Sequence, residues 1–347
     1  MIRRPLVCGY YGEHNLGDDA LLAALLLQLP TAWQPLVTAH DRDEVEARHG
    51  VATVQRRSLK EVLRALRRCD GLVLGGGSLL QDATSLRSLV YYATLIGTAR
   101  LLDKPVLLWG QGLGPLRRRI SRLIARAVLP QAAGITWRDP ESQALAERLG
   151  VSAASGSDPV WSLPTSPWQG SGGPIVLCWR PTTWLLGERW RPVLHALDQL
   201  AQREQREVIW VPFHQEQDRG LLRELTKQGL LPPDLAARSR EQPVTTVEEA
   251  TNLFRRAGLV LAMRLHGLIL AALAGSPCAA LSYDPKVAVA ARALGCPCSD
   301  LANLPSTASL QDHWQQQLDQ PQAAATLARL QAGTAVHQEL LIRFSAL

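Results

Sequence analysis

Arg264, His266 and Lys286 are the residues of this 347-residue chain whose types and spacing best suit chemistry on an anion. Two cations hold a carboxylate or phosphate through charge-assisted hydrogen bonds. An imidazole between them both gives and accepts a proton near neutral pH. Their setting is as informative as their types. Leu259–Met263 is a short apolar run suited to a strand buried on both faces. Gly267–Ala274 reads as an apolar helix ended by Gly275 and Pro277, and Cys278–Tyr283 as a second buried strand stopped by Asp284-Pro285. Arg264 and His266 therefore fall at one strand-to-helix junction and Lys286 at the next, where open parallel sheets bind their ligands. A helix N-terminus at that place adds partial positive charge. The stretch predicts a site for a small phosphorylated or carboxylated compound.

Junctions of the same kind recur along the chain. Arg180 ends the strand Ile175–Trp179 and His214 follows Val208–Pro212, so with Asp284 and Lys286 a cationic crevice is predicted in the second half. In the first half, a glycine-rich turn from Gly9 to Asp19 joins the strand Leu6–Tyr10 to an apolar helix and puts Asn15, Gly17 and Asp18 at its start. The turn is neither G-x-G-x-x-G nor a P-loop, and the next strand ends in His40 rather than an acid, which argues against a dinucleotide. Asn15 or Asp18 reads as a helix cap, or, for Asp18, as a base toward a sugar hydroxyl. Gly76, Gly77 and Ser78, after Gly75, let a backbone approach a ligand or pack a strand tightly. Gln81 and Asp82 are placed on the first turn of the following helix, within reach of ligand or backbone amides. Arg138 reads as a free cation beside Asp139, a helix cap before Pro140.

Strict strand–helix alternation predicts an α/β protein of two similar halves with a cleft between them. The boundaries read as a first domain over 1–162, a Pro-, Gly- and Ser-rich linker over 163–174, a second domain over 175–310 and C-terminal helices over 311–347. A net charge of +6, carried mostly by arginine, suits anionic partners but is too mild for nucleic acid. Six scattered cysteines read as buried free thiols, and Cys296-Pro297-Cys298 has no second pair at zinc spacing, so no metal is expected. No run approaches the roughly 18 apolar residues of a membrane span. The basic start Met1–Arg4 lacks the apolar segment of an export signal, which predicts a cytoplasmic protein. The basic helix containing Arg117, Arg118, Arg119, Arg122 and Arg126 reads as a solvated face or, more sharply, as a contact with anionic lipid on the inner membrane face. Oligomeric state is not written in these residues.

Several stretches together resemble the polysaccharide pyruvyl transferase family, in its CsaB-like branch. They are Gly9-Tyr-Tyr-Gly with Asn15-Leu-Gly-Asp18, Gly75-Gly-Gly-Ser-Leu-Leu-Gln-Asp82, Gln111-Gly-Leu-Gly-Pro115, Arg138-Asp139, Arg264-Leu-His266 and Ser282-Tyr-Asp-Pro-Lys286. The resemblance implies two Rossmann-like domains facing a cleft, a GT-B-like fold, with C-terminal helices packing back toward the first. It implies transfer of the enolpyruvyl unit of phosphoenolpyruvate, as a cyclic ketal, onto a lipid-linked or polymeric sugar acceptor. In the CsaB-like branch that sugar is N-acetylmannosamine of a cell-wall precursor, and the product anchors S-layer proteins. Phosphoenolpyruvate is then a donor substrate, with no separate cofactor. Under this reading Arg180, Arg264 and Lys286 hold the donor, and His266 is the acid/base. Asp18 orients or deprotonates the acceptor, and the remaining polar residues serve the acceptor side. Rival readings are a GT-B glycosyltransferase using a nucleotide sugar and a non-catalytic module binding anions or polysaccharide.

Overall fold

The computed structural model describes residues 2–83 and 85–345. Met1 and the last two residues of the stretch 311–347 lie outside the described residues. The chain forms two compact units. One comprises the chain up to Glu13, Asp18–Leu163 and the chain from Gln331; the other comprises His14–Gly17 and Pro164–Leu330.

The first unit is built on seven parallel strands: β1 (Pro5–Tyr11), β2 (Leu36–Ala39), β3 (Ala52–Gln55), β4 (Gly71–Leu80), β5 (Val106–Leu113), β6 (Gly134–Trp137) and β7 (Ala154–Ser155). Their order is β3-β2-β1-β4-β5-β6-β7, so the winding reverses between β1 and β4. Helices cover both faces, which is why β5 is buried along its whole length. Leu6, Leu72, Leu74 and Leu108 share a core with Val62 and Leu66 of the helix Leu59–Arg68 and Leu95 and Ile96 of the helix Leu86–Leu101.

The glycine run after Leu74 is part of a strand rather than a turn. Gly76 and Gly77 take φ values of +82° and +75°, and β4 shifts register between Gly77 and Leu80 without ending. The Gln111 side-chain amide braces the strand just ahead of the bulge, donating to the carbonyls of Leu74 (3.0 Å) and Gly76 (3.1 Å). The strand therefore reaches Leu80, and Gln81 and Asp82 lie ahead of the helix Leu86–Leu101 rather than on its first turn.

The second unit holds six parallel strands: β8 (Ile175–Cys178), β9 (Val208–Trp210), β10 (Ser239–Glu241), β11 (Leu259–Ala262), β12 (Cys278–Ser282) and β13 (Cys298–Asp300), in the order β10-β9-β8-β11-β12-β13. Here the winding reverses between β8 and β11. Trp179, Trp190 and Trp210 pack together in the core, Trp179 lying 5.9 Å from Trp190 and 5.4 Å from Trp210, centroid to centroid. The stretch read as a linker is fastened along this unit: Ser166 and Gln169 amides donate to the carbonyls of Leu273 and Arg255, both at 2.8 Å, and the Trp168 indole donates to the carbonyl of Ala257.

The C-terminal helices divide between the units. The helix Thr307–Gln317 buries Leu310 and Trp314 in the second core. The helix Ala335–Ser345 belongs to the first unit, where buried His337 bonds Thr136 Oγ1 at 2.9 Å and the Ser157 carbonyl at 2.8 Å. Truncating buried Leu340 or Leu341 there removes about 2–5 kcal/mol of stability. Each unit is a Rossmann-like α/β domain. No helix of the described residues is long and apolar enough to cross a membrane.

Candidate active site

The reversal in the second sheet is the place where the predicted residues converge. β9, β8, β11 and β12 are consecutive neighbours, and their carboxyl ends carry His214, Arg180, the Arg264–His266 pair and Lys286. Diverging crossovers leave a crevice at such a reversal, so the topology alone brings these side chains to one edge.

Two helices start there, and their N-termini differ. Asp284 caps the helix Pro285–Leu294, accepting from the Lys286 amide at 3.0 Å. The helix Leu265–Leu273 starts at Arg264 with no side-chain cap from that residue, and its N-terminus adds partial positive charge to the site. His266 sits on its first turn, half-buried, with Nε2 shielded from solvent.

The imidazole is held against Gly17. A Cβ added at Gly17 would lie 2.4 Å from His266 Nδ1, so glycine is required for the backbone to come this close. Asn15 shapes that approach by accepting from the Gly17 amide at 3.1 Å. Asn15 also bridges His214 backbone to backbone, while the Leu16 amide donates to the Phe213 carbonyl (3.1 Å) and the Gln215 amide to the His14 carbonyl (3.0 Å). Asn15 and Gly17, read from sequence as part of the first domain, thus belong to the second unit's site.

The arginines are not equivalent. Arg264 was read as an anion holder, but its guanidinium is already engaged: Nε donates to Asp218 Oδ2 at 3.0 Å, and Nη2 donates to Asp218 Oδ1 and to Gln217 Oε1 at 3.2 Å. The Asp218 carboxylate is fully buried and also accepts from the His214 amide at 2.8 Å. Asp218 therefore offsets most of the Arg264 charge and fixes its orientation. Burial first, and the Arg264 charge second, hold the buried His214 imidazole below its ordinary value, in its neutral form at neutral pH. Arg180 bonds only neutral groups, the Pro181 carbonyl at 3.2 Å and the Tyr283 hydroxyl at 3.2 Å, and lies over the Tyr283 ring at 5.1 Å. Among the described residues it has no carboxylate partner, so this partly exposed guanidinium carries an uncompensated positive charge. Tyr283 also lines a cavity of about 610 Å³ together with Trp184, Asp284, Arg292, Cys298 and Asp300.

In the first unit, Asp18 lies by the bulge of β4, a Cβ on Gly77 falling 3.9 Å from its Oδ1. Arg138, Asp82 and Gln81 make hydrogen bonds within the protein. Arg138 is no free cation: it is 5% exposed, and its guanidinium bonds Ser78 Oγ (3.0 Å), Asp139 Oδ2 (3.3 Å) and Asp158 Oδ2 (3.4 Å). Asp139 additionally caps its helix through the Ser142 amide at 2.6 Å. Asp82 accepts from the Arg117 and Arg118 amides at 2.9 and 2.8 Å. Burial is the largest influence on Asp82 and works upward, yet these two donors carry it below the ordinary carboxylate value. Gln81 Oε1 accepts from the Ala83 amide at 2.6 Å.

Sequence reasoning missed Asp218, Gln217 and Tyr283. Tyr283 stood inside a recognised motif, and its place at the end of β12 was the available signal. Asp218 lies in a four-residue helix, Gln215–Asp218, whose pairing with Arg264 spans 46 positions.

Comparison with known proteins agrees with this fold. Among solved structures, a putative UDP-N-acetylglucosamine 2-epimerase from Listeria monocytogenes superposes with a TM-score of 0.65 at 11% identity, covering 100% of this chain and 96% of that one. Anabaena HepE, solved in complex with UDP and glucose, gives 0.62 at 14% identity with 100% of both chains covered. The UDP-GlcNAc 2-epimerase of Methanocaldococcus jannaschii gives 0.64 at 11%, covering 100% of this chain and 99% of that one. At these identities the likeness establishes the GT-B-like fold alone. No curated protein matches the sequence. The sequence does match a family over residues 15–285, a span that contains Arg180, His214, Arg264 and His266: the chain belongs to the polysaccharide pyruvyl transferases.

Proposed function

We propose that the protein transfers the enolpyruvyl unit of phosphoenolpyruvate to a sugar of a surface-polysaccharide or cell-wall precursor, releasing phosphate and leaving a cyclic pyruvate ketal. N-acetylmannosamine is the sugar the sequence resemblance favours. One observation carries the reading: an uncapped helix N-terminus, the carboxylate-free Arg180 and a glycine-packed imidazole meet at the β8–β11 reversal. Phosphoenolpyruvate carries a carboxylate and a phosphate, and both suit that set of donors.

His266 protonates the methylene carbon, which generates an oxocarbenium centre beside the carboxylate. The first sugar hydroxyl attacks this carbon and gives up its proton. The carbon–oxygen bond to phosphate then breaks, phosphate taking the electron pair while Arg180, Lys286 and the helix amides stabilise the charge. The second hydroxyl closes the ketal on the resulting cation and releases a second proton. One proton enters the methyl group and two leave the hydroxyls, so the net proton departs with phosphate. His214, kept neutral by burial and by the Arg264 charge against the opposing pull of Asp218, keeps the floor of the site from adding further positive charge. Asp18 orients or deprotonates the acceptor.

The test is incubation with phosphoenolpyruvate and an N-acetylmannosamine-terminated acceptor, measuring phosphate and ketal. Equal amounts of both are expected. Turnover of a UDP-sugar on the same acceptor, with no phosphate from phosphoenolpyruvate, would establish a glycosyltransferase instead.

A further inference from the structure

The positive charge of this protein is concentrated. Residues 59–128 contain twelve lysines and arginines against four acidic residues, a net +8, whereas the whole chain carries +6. The remainder is therefore slightly acidic. The crossovers β3→β4, β4→β5 and β5→β6 all step the same way along the sheet, and right-handed connections place their helices on one face. The helix Leu86–Leu101 packs against both Leu59–Arg68 and Arg119–Val128 on that face.

The helices Leu86–Leu101 and Arg119–Val128 both begin at the carboxyl end of the sheet, so their first turns are neighbours. Val90, Ile120 and Leu123 project there at 45%, 49% and 60% exposure. Arg87, Arg118 and Arg119 are exposed beside them, and none of the three forms an ion pair among the described residues. Arg118 and Arg119 stand at a helix N-terminus, where the backbone dipole disfavours cations. Arg118 offers no side-chain cap, and the Asp82 carboxylate has to serve the Arg117 and Arg118 amides. Of the three, Arg118 also feels the Asp82 charge.

Exposed branched apolar side chains alternating with unpaired arginines match one surface, a bilayer with anionic headgroups. Apolar atoms enter the headgroup–acyl boundary while guanidinium groups bond lipid phosphates. Single-stranded nucleic acid fits less well, because the exposed aromatic residues on which bases stack are absent from this patch among the described residues. We infer that this end of the first unit docks on an anionic lipid bilayer, with Ile120 and Leu123 as the inserted residues and Arg87, Arg118 and Arg119 as the headgroup contacts. Docking is read by binding alone and does not depend on the reaction proposed above.

The experiment sediments the full-length protein with vesicles of phosphatidylcholine, alone or mixed with phosphatidylglycerol. The protein should pellet with the mixed vesicles and stay in solution with the neutral ones. Arg118→Gln/Arg119→Gln should lower the partition coefficient about 30-fold, and Ile120→Ser/Leu123→Ser about tenfold. Arg118→Lys/Arg119→Lys should bind within a few-fold of wild type, and thermal unfolding should show all variants folded. Equal pelleting with both vesicle types, no pelleting with either, or wild-type binding by the Ile120→Ser/Leu123→Ser variant would overturn the inference. So would tighter binding to single-stranded RNA than to the mixed vesicles.

Discussion

Arg138 in the first unit and Arg180 in the second both follow a parallel strand, and in the sequence they look alike. In the fold they are opposites. Arg138 is enclosed by Ser78, Asp139 and Asp158, and its charge is spent on holding loops together. Arg180 meets a carbonyl and a phenol, and its charge is left for a ligand. Arg264 stands between them, half committed to Asp218 and beside an uncapped helix. A cation at a strand end thus marks a site only when its neighbours leave the charge uncompensated.

Substitutions break the comparison in different observables. Arg138→Ala strands two carboxylates around a buried space and should lower unfolding stability by about 3–5 kcal/mol, read by denaturant titration. Asp218→Ala should destabilise comparably, because it leaves Arg264 without its partner; a loss under about 1 kcal/mol would show the pair to be dispensable. Gly17→Ala pushes the His266 ring aside and should slow turnover about 100-fold with donor affinity nearly kept. Arg180→Ala should weaken phosphoenolpyruvate binding about 10- to 100-fold while leaving stability within about 1 kcal/mol. Equal stability losses for Arg138→Ala and Arg180→Ala would erase the distinction.

The smallest effect is a pH dependence. Burial holds His337 below its ordinary value of 6.5, outweighing its bond to the Ser157 carbonyl. The folded state then binds fewer protons than the unfolded one, so the contribution is complete above pH 6.5 and is lost as pH falls through the lower folded value. His214 acts with the same sign in the second unit. Melting temperature should drop on acidification below pH 6.5, and less so in His337→Gln.

Much of this was legible before any coordinates. Buried parallel strands announce themselves as apolar runs, so β1, β5, β8, β11 and β12 and the junctions behind them could be read directly. Asp139 before Pro140 was readable as a cap from two adjacent residues, whereas Asp284, read as a strand stop, proves to cap its helix in the same way. What escaped depends on contacts distant in sequence or on weak patterns. β10 and β13 lie at sheet edges and are written Ser239-Arg-Glu241 and Cys298-Ser-Asp300, with no apolar run to betray them. The glycines of β4 looked like a turn because the Gln111 side chain that holds them in the strand lies 35 positions away. Asp218 and Asp158 settle which arginine is free, and each is joined to its partner only by folding.

The central claim is that His266 carries protons in a pyruvyl transfer at the β8–β11 reversal. The most direct measurement compares wild type and His266→Ala for phosphate release and for phosphoenolpyruvate binding under the same conditions. The account predicts a loss of turnover of about 100- to 10,000-fold with donor affinity within a few-fold of wild type. Near-normal turnover by His266→Ala, or loss of donor binding in step with turnover, would contradict it.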